Sequence, residues 1–208
     1  MIIAGLDEAG RGPVIGPLIV AGISCNTVEL KNIRVRDSKT LSPRARTILY
    51  EELKEIANQI IIKKIEAHDI DVLRKKLTLN TIELNAFAEI ISKMDCNEVY
   101  VDAVDVKEKR FEKNLMELTQ NRYQIIAKHK ADSIFPVVSA ASIVAKVTRD
   151  LEIEKLKKIL GDFGSGYPAD PKTIIFLKNY FKEHGSYPEH VRRSWKSIDN
   201  LNTLDLYR

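Results

Sequence analysis

The sequence predicts an α/β protein, a mixed sheet flanked by helices with a small helical domain at its C-terminal end. Three observations carry this. Short apolar runs bounded by Gly, Pro and Asn, such as "MIIAGLD" and "PLIVAGISC", read as buried strands. Between residues 97 and 129 a strand, a charged amphipathic helix and a further strand follow one another, the order of a parallel pair joined by a crossover. Beyond residue 160 only helical patterns and turns remain, so residues 1–160 are predicted as a sheet domain and 161–208 as a helical cap.

Taken in order, the first two strands are joined by the Gly/Pro-rich bend "GRGPVIGP", short enough to make them antiparallel neighbours. A helix begins near Ser42, with Pro43 in its first turn and Ile48, Leu49, Leu53 and Ile56 as its apolar stripe. "QIIIKKIEA" is a third strand candidate, and His68 to Lys93 is helical in two pieces, with Leu84, Phe87, Ala88 and Ile91 on one face. "NEVYVDA" is a strand ending in Asp102, followed by a helix from about Lys107 to Gln120 and the strand "YQIIAKH". Asp102 then falls at the C-terminal edge, where open α/β sheets place their ligands. "SAASIVAKVTRDLEIEKLKKIL" is a long helix with Ala140, Val144, Val147 and Leu151 expected on its buried face. "GDFGSGYPADP" interrupts, Pro171 opens a helix running to about Glu183, and a turn and a short basic helix close the chain.

Composition narrows the classes. At 208 residues the chain is long enough for a substantial core, and 44% hydrophobic with 30% charged residues is ordinary for a globular protein. No window approaches the roughly 18 uninterrupted apolar residues of a membrane span. The opening "MIIAGLDEAG" has no basic leader, so a cytoplasmic location and no membrane association are expected. Two cysteines, Cys25 and Cys96, without a CxxC pair or a histidine cluster, exclude a zinc motif or a disulfide framework. The net charge of +4 leans toward a polyanionic partner, and its distribution is more informative. Lys31, Arg34, Arg36, Lys39, Arg44 and Arg46 face the single acid Asp37, and Arg192, Arg193 and Lys196 surround Trp195. Either cluster is a nucleic-acid flank or a plain solvated face.

The acids are the chemical signal. "GLDEAGRGPVIGPL" sets Asp7 and Glu8 side by side at a strand end among glycines. Strand neighbours face opposite sides, which would leave Glu8 capping a turn; a glycine-permitted bend would instead aim both at one centre. Asp102 and Asp132 are the natural further members, with Asp105 as the rival of Asp102 in "DAVD". Three or four carboxylates without histidine or thiol ligands make a hard oxygen site, suited to Mg²⁺ or Mn²⁺ and to phosphoryl chemistry. His129 lies close enough in sequence to Asp132 to serve as a proton carrier or to orient a ligand. No serine has a G-x-S-x-G setting, "GSG" lacks the lysine of a phosphate loop, and "GRG" is no dinucleotide fingerprint.

With these motifs assembled, the chain resembles ribonuclease HII, the type 2 ribonuclease H family, in its archaeal form. The resemblance runs nearly end to end through "GLDEAGRGPVIGPL", "DSKTL", "VDAVD", "KADSIFPVVSAASIVAKVTRD", "GSGYPADPKT" and "RRSWKS". It implies a ribonuclease H-like mixed sheet and a small helical C-terminal domain. It also implies that Asp7, Glu8, Asp102 and Asp132 are the catalytic, metal-holding acids, against Asp105. By the same resemblance Gly10, Arg11 and Gly12 grip the phosphates and 2'-hydroxyl beside the scissile bond, and Tyr167 stacks on the following deoxyribose. Lys39, Arg46 and Lys146 look like phosphate contacts, while Ser139 carries no chemistry.

The implied activity is metal-dependent endonucleolytic hydrolysis of the RNA strand in RNA/DNA hybrids and cleavage on the 5' side of single ribonucleotides in duplex DNA. Two Mg²⁺ or Mn²⁺ ions would take part, leaving 3'-hydroxyl and 5'-phosphate ends. This is work for DNA replication and ribonucleotide excision repair, done by a chain expected to be monomeric. The chain ends "NTLDLYR" without a longer tail carrying a sliding-clamp motif, which argues against recruitment by the clamp. Two other readings share parts of the pattern. A non-catalytic hybrid-binding module would bind hybrids and yield no product, and a metal-dependent phosphatase would hydrolyse small esters and ignore hybrids.

Overall fold

The computed structural model describes residues 1–33, 35 and 41–205. Five strands form one sheet, β1 (Ile2–Ala9), β2 (Leu18–Asn26), β3 (Ala57–Ile65), β4 (Glu98–Asp102) and β5 (Gln124–Lys128), in the order β3-β2-β1-β4-β5. β1 is central, antiparallel to β2 through Gly5↔Ile23 and Asp7↔Ala21 and parallel to β4 through Ile3↔Glu98 and Leu6↔Val101. β4 and β5 are parallel, with α5 (Glu108–Leu118) between them in the chain. The mixed sheet, the antiparallel hairpin and the parallel pair are those expected from the sequence.

The helices begin where local chemistry lets them. α2 (Pro43–Ile56) has Ser42 as its N-cap, whose side chain accepts from the Ala45 N–H, and Pro43 in the first turn, where no amide donor is needed. α8 (Pro171–His184) repeats the device, with Asp170 accepting from the Lys172 N–H, and ends on Gly185 in the left-handed conformation. The long α7 (Pro136–Leu160) buries Ala140, Val144 and Val147 as expected, but Leu151 is exposed. Ile153 and Leu156 are buried in its place, because the second half of α7 serves a different core. Three short helices, α1 (Thr27–Asn32), α3 (Ala67–Leu73) and α6 (Ala131–Ile134), and two longer ones, α4 (Leu79–Ile91) and α9 (Lys196–Asp205), complete the elements.

The chain groups into two compact units that interleave along the sequence. The first comprises Met1–Ala9, Ile19–Lys64 and Leu79–Thr148, and its core joins Ile19, Ala21 and Ile23 of β2 to Val137, Val138, Ala141 and Val144 of α7. Gly5 is essential to that core, since a Cβ there would collide with the Val137 carbonyl; only a residue without one lets strand and helix approach so closely. The second comprises Gly10–Leu18, Ile65–Thr78 and Arg149–Arg208, with Val14, Ile15, Ile153, Phe163, Leu177 and Val191 in its core. A single cut near residue 160 does not reproduce this grouping, because the bend after β1 packs with C-terminal residues. The Val14 N–H donates to the Gly166 carbonyl at 2.8 Å, the Gly16 N–H to the His190 carbonyl at 2.9 Å, and Ile15 forms an isolated antiparallel bridge with Val191.

Candidate active site

In the first unit, three aspartates meet at one edge of the sheet. Asp7 lies near the end of β1 and Asp102 ends β4, one position beyond the paired Leu6 and Val101. Residues in register on adjacent parallel strands point the same way, so this pairing alone turns both carboxylates to one face. Asp132 arrives from the first turn of α6, directly after Lys130, which takes the left-handed conformation at φ 54°. One carboxylate oxygen from each of the three lies within 4.8 Å of the others. Asp7 and Asp132 are buried, and Asp102 is half-buried.

That convergence is costly without a cation. Burial pushes the Asp7 carboxyl up from 3.8 to about 7; the buried Ser142 hydroxyl facing it opposes the rise, the Asp102 charge adds to it, and the Glu8 N–H and Lys146 oppose it. The Glu8 N–H donates to Asp7 Oδ1 at 2.8 Å. All-oxygen donors, two of them buried and one raised by desolvation and a like charge, fit a hard divalent ion, which would repay the cost of ionising Asp7.

The sequence expectations meet this geometry unevenly. Asp7, Asp102 and Asp132 come together; among the described residues Glu8 is not a member of the trio, and its observed part is the backbone donor to Asp7. Asp105 is spoken for elsewhere: its oxygens accept from Arg110 Nε at 2.8 Å, from Arg110 Nη2 and from the Lys107 N–H, which holds its carboxyl below the usual range. His129 is exposed, its Nδ1 and Nε2 each 3.2 Å from the carbonyl oxygens of Ala103 and Val106, so its ring is engaged with the loop that follows Asp102. Lys146 is half-buried on α7 and acts electrostatically on Asp7. Arg46 Nη1 donates to the Leu41 carbonyl at 3.2 Å; Lys39, with Arg34 and Arg36, lies outside the described residues. Ser142 was missed, since nothing in "SAAS" marks one serine as facing an acid.

In the second unit, "GRG" and "GSGYP" form one structure. Besides the Val14 bond, Gly166 receives the Ile15 N–H at 3.3 Å and donates its own N–H to Thr173 Oγ1 at 3.0 Å. Gly12 is exposed with the Tyr167 ring next to it: a Cβ on Gly12 would stand 3.4 Å from Tyr167 Cε1. Tyr167 itself is 43% exposed, an aromatic face open to solvent.

The basic cluster around Trp195 is not one surface. Arg192 is fully buried, stacked 4.9 Å from the Trp195 ring centroid, and donates from Nε to the Gly16 carbonyl at 3.0 Å and from Nη1 to the Arg11 carbonyl at 3.2 Å. Its charge therefore serves the fold of the Gly10–Gly16 bend, and Arg192 stands neither on a phosphate-binding flank nor on a solvated face. Arg193 and Lys196 are exposed, and the Arg193 and Ser194 N–H groups donate to the Asp71 carboxylate. Cys25 and Cys96 are free thiols pushed up to about 11, mainly by burial, which disfavours their thiolate forms at neutral pH. Among the described residues no helix is long and apolar enough to cross a membrane.

Comparison with known proteins places this geometry. The family profile described as Ribonuclease HII matches residues 4–198. The ribonuclease HII of Thermococcus kodakarensis is 45% identical over 206 residues, covering 97% of this chain and 90% of that relative. The ribonuclease H2 of Pyrococcus horikoshii superposes with a TM-score of 0.93 at 39% identity, all of both chains being covered. The ribonuclease HII of Archaeoglobus fulgidus, solved in a complex with PCNA, gives 0.88 at 43% identity over 94% of this chain and 96% of that one. A match this long, on a sheet whose edge gathers three aspartates, makes the chain a member of the ribonuclease HII family.

Proposed function

We propose that the chain is an endonuclease that hydrolyses the RNA strand of RNA/DNA hybrids and cuts on the 5' side of single ribonucleotides in duplex DNA. The convergence of Asp7, Asp102 and Asp132 within 4.8 Å is the observation that carries it, read together with membership of the family. Divalent ions, Mg²⁺ or Mn²⁺, would supply activation of the attacking water and stabilisation of the departing 3'-oxygen. The chain's residues supply the rest. Asp7 is the shared ligand, bonded by the Glu8 N–H, with the buried Ser142 and the charge of Lys146 favouring its ionised form; Asp102 and Asp132 flank it, and Glu8 is assigned a ligand role by resemblance.

Recognition of the sugars falls to the second unit. The Gly10–Gly12 backbone, exposed at Gly12, reads the 2'-hydroxyl, the donor and acceptor that DNA lacks, and Tyr167 stacks on the sugar that follows. Lys39, Arg46, Lys146, Arg193 and Lys196 are assigned phosphate contacts, which position a duplex without reading its bases and make affinity salt-dependent. A sliding clamp is a candidate partner, because the Archaeoglobus fulgidus relative was solved in a complex with PCNA.

The deciding experiment maps product ends on a DNA duplex containing one ribonucleotide, with Mg²⁺ and with excess chelator. Metal-dependent cleavage on the 5' side of the ribonucleotide, with 3'-hydroxyl ends, is expected. Cleavage that persists in chelator, or tight binding without product, would overturn the proposal.

A further inference from the structure

Arg149, in the second unit, is a buried cation that the proposed chemistry leaves without a part. It is 8% exposed, and its Nε and Nη2 are buried with no hydrogen-bond partner among the described residues. Burial lowers its pKa, so the fold carries a desolvation cost for keeping this charge. Two contacts locate it, and a third links their partners. Its guanidinium carbon stands 5.7 Å from the Tyr167 ring centroid. Its Nε and Cδ lie 2.5 and 2.6 Å from where a Cβ on Gly10 would be, and Gly10 takes φ +92°, a conformation that glycine adopts without strain. Gly12, two residues on, has the same Tyr167 ring as its neighbour. One side chain thus backs both the bend and the aromatic ring to which sugar recognition is assigned.

We infer that Arg149 is the residue that sets the spacing between the Gly10–Gly12 backbone and the Tyr167 ring, and that it thereby fixes the preference for an RNA-to-DNA junction over a continuous RNA strand. A flat, delocalised cation suits this role: it stacks on an aromatic face and fills the space beneath a glycine, whereas an ammonium does neither well. The inference rests on the assignment of Tyr167 to the sugar after the ribonucleotide. Arg149 is a positioning residue, acting through Tyr167 and the bend.

The test compares kcat/KM on a single-ribonucleotide duplex and on a long hybrid for wild type, Arg149→Met, Arg149→Lys, Tyr167→Ala and the Arg149→Met/Tyr167→Ala double variant. In Arg149→Met the ratio of the two values is expected to fall about tenfold in favour of the hybrid. Arg149→Lys should lie between Met and wild type, and the double variant should lose no more than Tyr167→Ala alone. Thermal melts keep folding separate, and should Arg149→Met not fold, Arg149→Lys carries the comparison. Equal losses on both substrates, additive losses in the double variant, or a shallower salt dependence on both substrates would overturn the inference. If Tyr167→Ala keeps the wild-type ratio, the reading of Tyr167 fails and this inference with it. If Tyr167→Ala shifts the ratio and both Arg149 variants do not, this inference alone fails.

Discussion

The buried guanidinium of Arg192 donates from Nη1 to the backbone carbonyl of Arg11, 3.2 Å away and 181 residues earlier in the chain. With the Gly16 carbonyl held by Nε of the same side chain, the Gly10–Gly16 bend is braced by a single cation whose stem is enclosed in the second unit. A solvated loop would satisfy those carbonyls with water at no cost in shape. An arginine fork holds them in one arrangement, which a backbone meant to inspect a sugar requires.

Arg192→Met should therefore destabilise the protein by about 3 kcal/mol, since it leaves the buried Gly16 carbonyl and the part-buried Arg11 carbonyl short of their donor and removes the stack on Trp195. Chemical denaturation measures it. A midpoint equal to wild type would mean that the bend holds itself.

The metal-free protein should lose stability as pH rises from about 4 to about 7. Over that range the unfolded Asp7 carboxyl has released its proton near 3.8 while the folded one keeps it until about 7, so the folded state binds more protons. The penalty is complete above pH 7 and reaches at most about 4 kcal/mol. Thermal melts at pH 5 and pH 8 in chelator should differ accordingly, and added Mg²⁺ should raise the melting temperature more at pH 8. Identical melts would show that Asp7 ionises without cost.

Asp7→Asn should remove that pH slope and stabilise the metal-free protein at pH 8, while cutting activity by at least about a hundredfold. The opposed effects separate a residue kept for chemistry from one kept for folding. A variant both less stable and still active would contradict the assignment.

Asp105→Asn should leave activity within about twofold and cost roughly 1 kcal/mol or less, because its partner Arg110 has a side chain 56% exposed and surface pairs contribute little. Asp102→Asn should cost activity heavily and stability hardly at all. Cleavage assays on one hybrid with the two variants side by side check the contrast; equal losses would return Asp105 to the site.

How much of this was legible follows from the range of each interaction. The strands, the Ser42 cap with Pro43 and the strand-ending position of Asp102 depend on neighbours a few residues away, so alternation, turn residues and caps reveal them. The extent of the buried face of α7 was not legible, because Leu151 continues the spacing of Ala140, Val144 and Val147 yet lies where the helix leaves one core for another. The motifs that carry the family resemblance were likewise readable as strings of residues, and they named the acids before any distance was known.

The sequence by itself determined the α/β class and the hard-oxygen character of the candidate site, since these follow from residue types and local periodicity, while the choice among its acids came from the family resemblance. Tertiary structure alone decided which acids meet, that Ser142 faces Asp7, that Asp105 is held by Arg110, and that Arg192 and Arg149 are enclosed supports of the Gly10–Gly16 bend and Tyr167. The physical reason is that burial, desolvation and hydrogen-bond satisfaction depend on what the chain brings together from distant positions. A basic residue in a basic stretch carries no mark of whether its charge will face water, a phosphate or a carbonyl more than a hundred residues away.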